Sequence, residues 1–428
     1  MLIKNARVID PYNQKDEITD IRTGNGCVAQ LGRDLAVNDN EEIIDATELI
    51  AAPGLVDVHS HFRDPGQTEK ETLHTGALAA AAGGYTSVVC MANTVPAADS
   101  PEMINDILDR AGRENIHIYQ DATISVGRNG SSLVDMKALI KAGAAGFTDD
   151  GSPITDEELV RRAMEKAAES DAVLSFHEED PSYVWEAGIN CGSVAEAMGL
   201  RGADRKAEYT MVERDIRLAL DAGAKIDIQH VSAKESVEII KRYKKTDIKG
   251  LIHAEATPHH FSLTEDMLTE KGSLAKVNPP LRTEEDRQAV IRGLADGTLD
   301  IIATDHAPHT AGEKNREFTK APSGMIGLET ALALGITNLV EKGHISFSDL
   351  IRLMSLNPAG LYGLQAGRLG VGDPADIVIF DPAQQWTVSE KDLQSRSKNS
   401  PFLGMTLKGR VRYTIVGGKT IYSHKGQT

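Results

Sequence analysis

Between Leu55 and Thr304 the chain repeats one pattern: a short apolar or alternating run, then a stretch with helical spacing or Ala-rich composition. The short runs are Leu55–His61, Thr86–Ala92, Ile116–Ala122, Ala145–Asp149, Val173–His177, Lys225–His230, Gly250–Glu255 and Asp300–Thr304. The stretches between them include Leu73–Ala82, Ser131–Ala142, Asp156–Glu169, Lys234–Tyr243 and Glu284–Leu294. Strands alternating with helices predict a parallel α/β sheet, and eight is the number that closes a (β/α)8 TIM-like barrel. An open doubly wound sheet competes with the barrel, but no GxGxxG stands at a strand-to-helix turn near the start. The ends have another texture. Leu2–Ile3, Arg7–Ile9, Cys27–Leu31 and Glu42–Ile44 at one end, and Asp376–Phe380, Val411–Val416 and Lys419–Tyr422 at the other, are short β-prone pieces among turn residues. Each end offers too few strands to fold alone. The pattern predicts that residues 1–52 and 363–428 join into a small β-sandwich domain beside a barrel spanning 53–362.

Composition narrows the function. A length of 428 residues suits one large domain with a smaller companion, and 41% hydrophobic with 25% charged residues is ordinary for a soluble globular protein. The net charge of -17 argues against nucleic-acid binding and disfavours an anionic membrane surface. Cys27, Cys90 and Cys191 are few, odd in number and far apart, so neither a disulfide framework nor a local CxxC site is expected. With no long apolar core near Met1, this suits a reducing cytoplasm. The run Thr75–Ala98 has no formal charge, yet Gly83-Gly84, Asn93 and Pro96 predict a helix and a buried strand, not a membrane span.

The chemistry starts at Val56-Asp57-Val58-His59-Ser60-His61. Residues two apart in a strand share a face, so His59 and His61 project together, which suits a metal clamp. A pair of hydrogen-bonded core histidines would look the same. What favours metal is recurrence: His177, His230, Asp305 and the pair Asp149-Asp150 also close predicted strands. Barrel enzymes build their sites at that C-terminal mouth. Imidazoles with carboxylates suit Zn²⁺, although Mn²⁺ or Co²⁺ would also be held, and the ligands suffice for two ions with a carboxylate between them. A bound cation acidifies its water. Asp305 can then take that proton and pass it to a leaving nitrogen.

These residues lie in motifs that resemble the dihydroorotases among the metal-dependent amidohydrolases. His59-Ser60-His61-Phe62-Arg63-Asp64-Pro65-Gly66 is similar to the HxHFRxPG signature of the bacterial class. Phe147-Thr148-Asp149-Asp150-Gly151, Asn278-Pro279-Pro280-Leu281-Arg282, Ala303-Thr304-Asp305-His306-Ala307-Pro308-His309 and Gly327-Leu328-Glu329-Thr330 fit in the same order. The resemblance implies reversible closure of N-carbamoyl-L-aspartate to L-dihydroorotate in pyrimidine synthesis. It assigns His59 and His61 to one zinc, His177 and His230 to a second, and Asp150 to a bridge where many relatives carry a carboxylated lysine. Neighbours in a strand face opposite ways, so only one of Asp149 and Asp150 points inward; the resemblance favours Asp150. It makes Asp305 ligand and proton shuttle.

Four further residues are expected at the substrate. The planar guanidinium of Arg63 suits a carboxylate, unless Asp64 or Glu69 occupies it at the surface. Asn93 is expected on the same carboxylate or as a turn residue before Pro96. His309 is expected on substrate or as a solvated loop histidine, and Asn278 on the polar edge of the ring or as a loop cap. The charged stretch Thr310–Pro322 reads as a mobile lid or a solvated loop. His259 and His260 read as structural or supporting groups. Three positions depart from the family pattern: Ala92 for proline, Glu178 for cysteine, and Ser323 for an aromatic. The resemblance also implies a homodimer and leaves association with aspartate transcarbamoylase open. The rivals are an allantoinase or hydantoinase, which carry lysine on the fourth strand, and a catalytically silent scaffold, which would lack ligands.

Overall fold

In a computed structural model that describes residues 1–424, the first barrel strands are buried along their whole length, as parallel strands covered on both faces are. Residues 425–428, the end of the expected C-terminal piece, lie outside the described residues. Strands β1 (Leu2–Asp10), β2 (Lys15–Gly24), β3 (Cys27–Gly32), β4 (Ile43–Asp45) and β5 (Ile50–Pro53) precede the barrel. The barrel contains β6 (Leu55–Ser60), β7 (Tyr85–Cys90), β8 (His117–Gln120), β9 (Val173–Phe176), β10 (Lys225–Ile228), β11 (Ile252–Ala256) and β12 (Ile301–Ile302). After it come β13 (Ile377–Thr387), β14 (Thr406–Val416) and β15 (Lys419–Ser423).

The terminal strands form one eight-stranded sheet, ordered β15-β14-β13-β5-β1-β2-β3 with β4 paired to β1. Its seam is β5 against β13, where Ala51 faces Ile379 and Ala52 faces Val378. Period two gives the sheet two faces. Val8, Ala51, Ile377 and Ile379 enter one apolar core together with Ile21, Val28 and Ile44 of β2, β3 and β4. Their neighbours Ile9, Ile50, Ala52, Val378 and Phe380 join the core of the barrel. Each fully buried Val, Ile or Phe side chain among them contributes about 1.5–3 kcal/mol, so both bodies gain from the shared sheet.

In the barrel, β6, β7 and β8 run parallel, and so do β9 to β12. The gap between β8 and β9 is filled by Ala145–Thr148. Ala145 and Thr148 donate to Gln120 and Ala122 on one side, while Phe147 donates to Val173 and accepts from Ser175 on the other. The expected fourth strand is therefore in the ladder, but as isolated bridges at Phe147. Gly146 explains the tight fit: a Cβ there would lie 2.9 Å from the Tyr362 ring and 3.2 Å from the Val173 carbonyl. His61 N–H donates to the His306 carbonyl at 2.9 Å and closes the circle.

Helix ends follow from local chemistry. Thr72 and Thr75 form a capping box before Leu73–Gly83, and Gly84 ends that helix in the left-handed region. The helix expected from Ser131 begins at Met136, because the Asp135 side chain caps it by accepting from Ala138. Pro101–Ala111 and Lys206–Ala222 complete the ring with Glu157–Ala168, Lys234–Lys244 and Glu284–Asp296. Thr75–Ala98 is indeed a helix followed by β7, and among the described residues no helix is long and apolar enough to cross a membrane. The connection between β13 and β14 leaves the sheet and straps the barrel mouth. There Ser397 bonds the Lys70 carbonyl, Ser395 and the Arg396 N–H reach Glu71, and Asn399 reaches the loop at His309.

Candidate active site

Every element that carries a predicted ligand ends at the same rim. His59 and His61 leave β6, His177 follows β9, His230 follows β10, and Asp305 lies three residues after β12. His230 and Asp305 sit at φ 33° and 47°, a left-handed region that non-glycine residues rarely adopt, so the turns are held there by their surroundings. Asp150 stands at the centre. Its Oδ1 is 3.6 Å from His59 Nε2, 3.5 Å from His177 Nδ1 and 3.8 Å from His230 Nε2, while its Oδ2 is 3.5 Å from His61 Nε2. Two sets, His59-His61-Asp150 and Asp150-His177-His230, each bring three ligand atoms within 4.8 Å of one another. Asp305 Oδ1 lies 3.0 Å from His61 Nε2 and 3.6 Å from His59 Nε2.

The choice between the two aspartates is settled by hydrogen bonds. Asp149 Oδ1 accepts from the N–H groups of Ile124 and Ser125 at 2.8 and 3.1 Å, so it binds the preceding loop. Asp150 faces the imidazoles. Burial alone would raise its pKa, but the imidazoles of His177, His230 and His59 around it hold the carboxyl well below the usual carboxylate range. Burial likewise opposes ionisation of Asp305, yet His61 and His59 keep it depressed.

This donor set fits a divalent cation. His59 Nε2 is completely buried and has no hydrogen-bond partner, a costly state for an imidazole unless an ion takes the lone pair. The far nitrogens of His59, His177 and His61 are held as metal-bound imidazoles require. Glu255 accepts from His59 Nδ1 at 3.0 Å and from the backbone N–H of His230 at 3.2 Å. Glu179 lies 3.4 Å from His177 Nε2. Asn93 Oδ1 lies 2.9 Å from His61 Nδ1, while its Nδ2 donates to Asp150 Oδ2 at 3.1 Å.

Beside the cluster opens a cavity of about 260 Å³, lined by all four expected substrate residues, Arg63, Asn93, Asn278 and His309. The surface-pair alternative for Arg63 fails, since Asp64 bonds Arg110 and Arg63 has no carboxylate partner among the described residues. Asn278 Oδ1 accepts from Ser323 Oγ at 2.9 Å, so the serine that replaces an aromatic fastens the asparagine. His309 Nε2 donates to the Ser323 carbonyl at 2.8 Å. Burial and Arg63 push its pKa down to about 3, so it stands neutral. The Thr310–Pro322 stretch is anchored: Thr310 and Glu313 cap the turn Ala311–Lys314, and Lys314 Nζ donates to the Pro322 and Gly324 carbonyls. His260 bonds Thr257 and the Pro279 carbonyl, a structural duty, and His259 is buried beside it.

Sequence reasoning missed Glu255, Arg128 and Asn399. A glutamate inside the buried run Ile252–Ala256 was a visible signal for the first. Arg128, in a coil between Gly127 and Gly130, and Asn399, beyond the barrel, carried none.

The chain is similar along its whole length to proteins of one family. The amidohydrolase family model matches residues 50–421. The dihydroorotase of Clostridium acetobutylicum is 51% identical over 425 residues, covering 99% of this chain and 100% of its own. That of Lactococcus lactis is 50% identical with the same coverage. Among solved structures, the L-hydantoinase (dihydropyrimidinase) of Arthrobacter aurescens superposes with a TM-score of 0.89 over 100% of this chain and 96% of its own, at 25% identity. Twice the identity therefore lies with the dihydroorotases, and the hydantoinases are distant relatives that share the fold. A family model matching residues 50–421 and full-length likeness at half identity make this chain a member of the amidohydrolase family and, within it, of the dihydroorotases.

Proposed function

We infer that the chain catalyses the dihydroorotase reaction, the reversible closure of N-carbamoyl-L-aspartate to L-dihydroorotate in pyrimidine synthesis. The observation that carries this reading is a cluster of ligand side chains opening onto a cavity with an unneutralised Arg63. His59 and His61 would hold one cation, His177 and His230 a second, and Asp150 would lie between them. Neutral imidazoles with carboxylates favour Zn²⁺, two ions per chain. When bound, the cations supply Lewis acidity at the amide carbonyl.

The chain's own residues orient substrate and move the proton. Arg63 binds the carboxylate that both substrates carry, through its planar fork. Neutral His309 and Asn278 bind the polar edge of the ring. Asn93 holds His61 and Asp150 and has a second N–H to offer the carboxylate. In hydrolysis a C–O bond forms from water and the ring C–N bond breaks. Asp305 takes the proton from water and delivers it to the leaving nitrogen. In ring closure the carbamoyl nitrogen gives its proton to Asp305 as the C–N bond forms; the C–O bond then breaks, and the carboxylate oxygen departs as water with that proton and one from solvent. A low carboxyl pKa suits the accepting half of that cycle. The homodimer, the cytoplasmic location and the absence of nucleic-acid or membrane partners belong to the same reading; the net charge of -17 supports the last.

The test is L-dihydroorotate hydrolysis with metal analysis of the same sample. The expected result is turnover with bound zinc, and a loss of about 10²- to 10⁴-fold in kcat for Asp305→Ala. No turnover, with activity on hydantoins or allantoin, would overturn the assignment. So would undiminished turnover of Asp305→Ala.

A further inference from the structure

The mouth holds a second cation that the mechanism above does not use. Arg128 follows the third barrel strand and lines the same cavity as Arg63. Like Arg63, at φ 58°, it sits in the left-handed region, at φ 56°. Neither residue has a carboxylate partner among the described residues, although most other arginines of the chain do. Arg128 Nη2 donates to the Asp150 carbonyl and, at 3.0 Å, to Ser152 Oγ. Its Nε is buried without a partner, and its Nη1 makes no hydrogen bond to the described protein. A strained backbone holding an uncompensated, half-satisfied guanidinium is an arrangement that folding alone does not reward.

Position gives the two arginines different work. Arg63 belongs to the loops after the first and last strands, with Nε directed at the Pro308 carbonyl at 3.4 Å. Arg128 belongs to the loops after the third and fourth strands and touches Asp150, at the reacting end. Two like charges facing one cavity repel unless anions lie between them. Resting on the dihydroorotase reading, the chemistry of the substrates supplies those anions. N-carbamoyl-L-aspartate carries two carboxylates. L-dihydroorotate carries one, because closure turns the other into an uncharged amide.

We propose that Arg128 is a specificity-determining residue that binds the second carboxylate of the open-chain substrate. It thereby sets affinity for N-carbamoyl-L-aspartate while leaving affinity for the ring to Arg63. The contact persists into the transition state from the open-chain side and is absent in the bound ring. Its loss therefore falls on KM in ring closure and on kcat in ring opening. The overall equilibrium constant ties the two kcat/KM values together, so both must fall by the same factor.

The experiment measures both directions for wild type, Arg128→Gln and Arg128→Lys, with zinc content and melting temperature for each. A charge-assisted pair predicts that Arg128→Gln raises KM for N-carbamoyl-L-aspartate about ten-fold or more and lowers kcat for ring opening by the same factor. KM for L-dihydroorotate stays within about two-fold, and Arg128→Lys recovers part of the loss. Equal KM increases for both substrates would overturn the proposal. So would a fall in kcat in both directions with lost zinc, which would make Arg128 only a tether for the Asp150 loop. Unchanged kinetics would overturn it too. Should Arg128→Gln not fold, Arg128→Lys and Ser152→Ala, which frees one tether, carry the same KM and kcat comparison. A wild type that turns over neither substrate would refute the dihydroorotase reading itself.

Discussion

Asp149 and Asp150 are chemically alike and adjacent, yet one ties two backbone N–H groups and the other sits among four imidazoles. The difference is direction, not composition. His309 shows the same dependence on surroundings. Burial and the nearby Arg63 depress its pKa from 6.5 to about 3, so the folded protein keeps it neutral where the unfolded chain would protonate it. The sign follows: below about pH 6.5 the unfolded state binds the extra proton, and the stability His309 contributes is lost progressively as pH falls toward 3. The His309 imidazole C–H resonance should therefore stay put between pH 8 and 5. A titration midpoint near 6.5 in that window would refute a buried, neutral His309.

At the scale of elements, the strap between β13 and β14 governs a site to which it contributes no ligand. Asn399 Oδ1 accepts from the His309 N–H at 3.0 Å, and its Nδ2 donates to the Ala307 and Gly324 carbonyls, both at 3.1 Å. Asn399→Ala would leave those buried groups unpaired, at a cost of about 1–3 kcal/mol, and loosen the loop that carries His309. The expected outcome is a KM for L-dihydroorotate raised about ten-fold with zinc content unchanged; a KM equal to wild type would show that the loop holds itself. Contacts of this kind explain what was legible in the sequence. The HxH clamp and the strand-end histidines were readable because a strand has period two and a barrel gathers strand ends. Asn399 was not, because its partners lie 75 to 92 residues away and no periodicity marks it. The fourth strand was read at the right place, but its irregularity depends on Tyr362 and Asp149, each of which needs the folded structure to be seen. Arg128 was hidden because a charged residue in a glycine-rich coil ordinarily points to water.

At the scale of the molecule, the terminal sheet and the barrel share side chains. Phe380 is fully buried in the barrel core although it belongs to β13, and its ring lies 6.2 Å from that of Phe347. Phe380→Ala should cost about 3–5 kcal/mol and lower the melting temperature of barrel and sheet together. Calorimetry checks this: two separated transitions in the variant would show the sheet to be an independent unit. The expectation that both ends of the chain make one small β domain was legible because neither end had enough strands to stand alone. The pairing of β5 with β13 was not, since it joins segments more than three hundred residues apart.

That seam bears on how the chain is made. A ribosome adding about 5–20 residues per second delivers β5 long before β13 exists. For tens of seconds the first five strands stand with the β5 edge still unpaired and an apolar face that nothing yet covers. A nascent chain in that state is a client for any factor that shields exposed strand edges. A message cut short anywhere before Ile377 would release a product with that edge permanently bare. Synthesis order therefore places the vulnerable interval of this protein in translation, well before there is a mouth to hold metal or substrate.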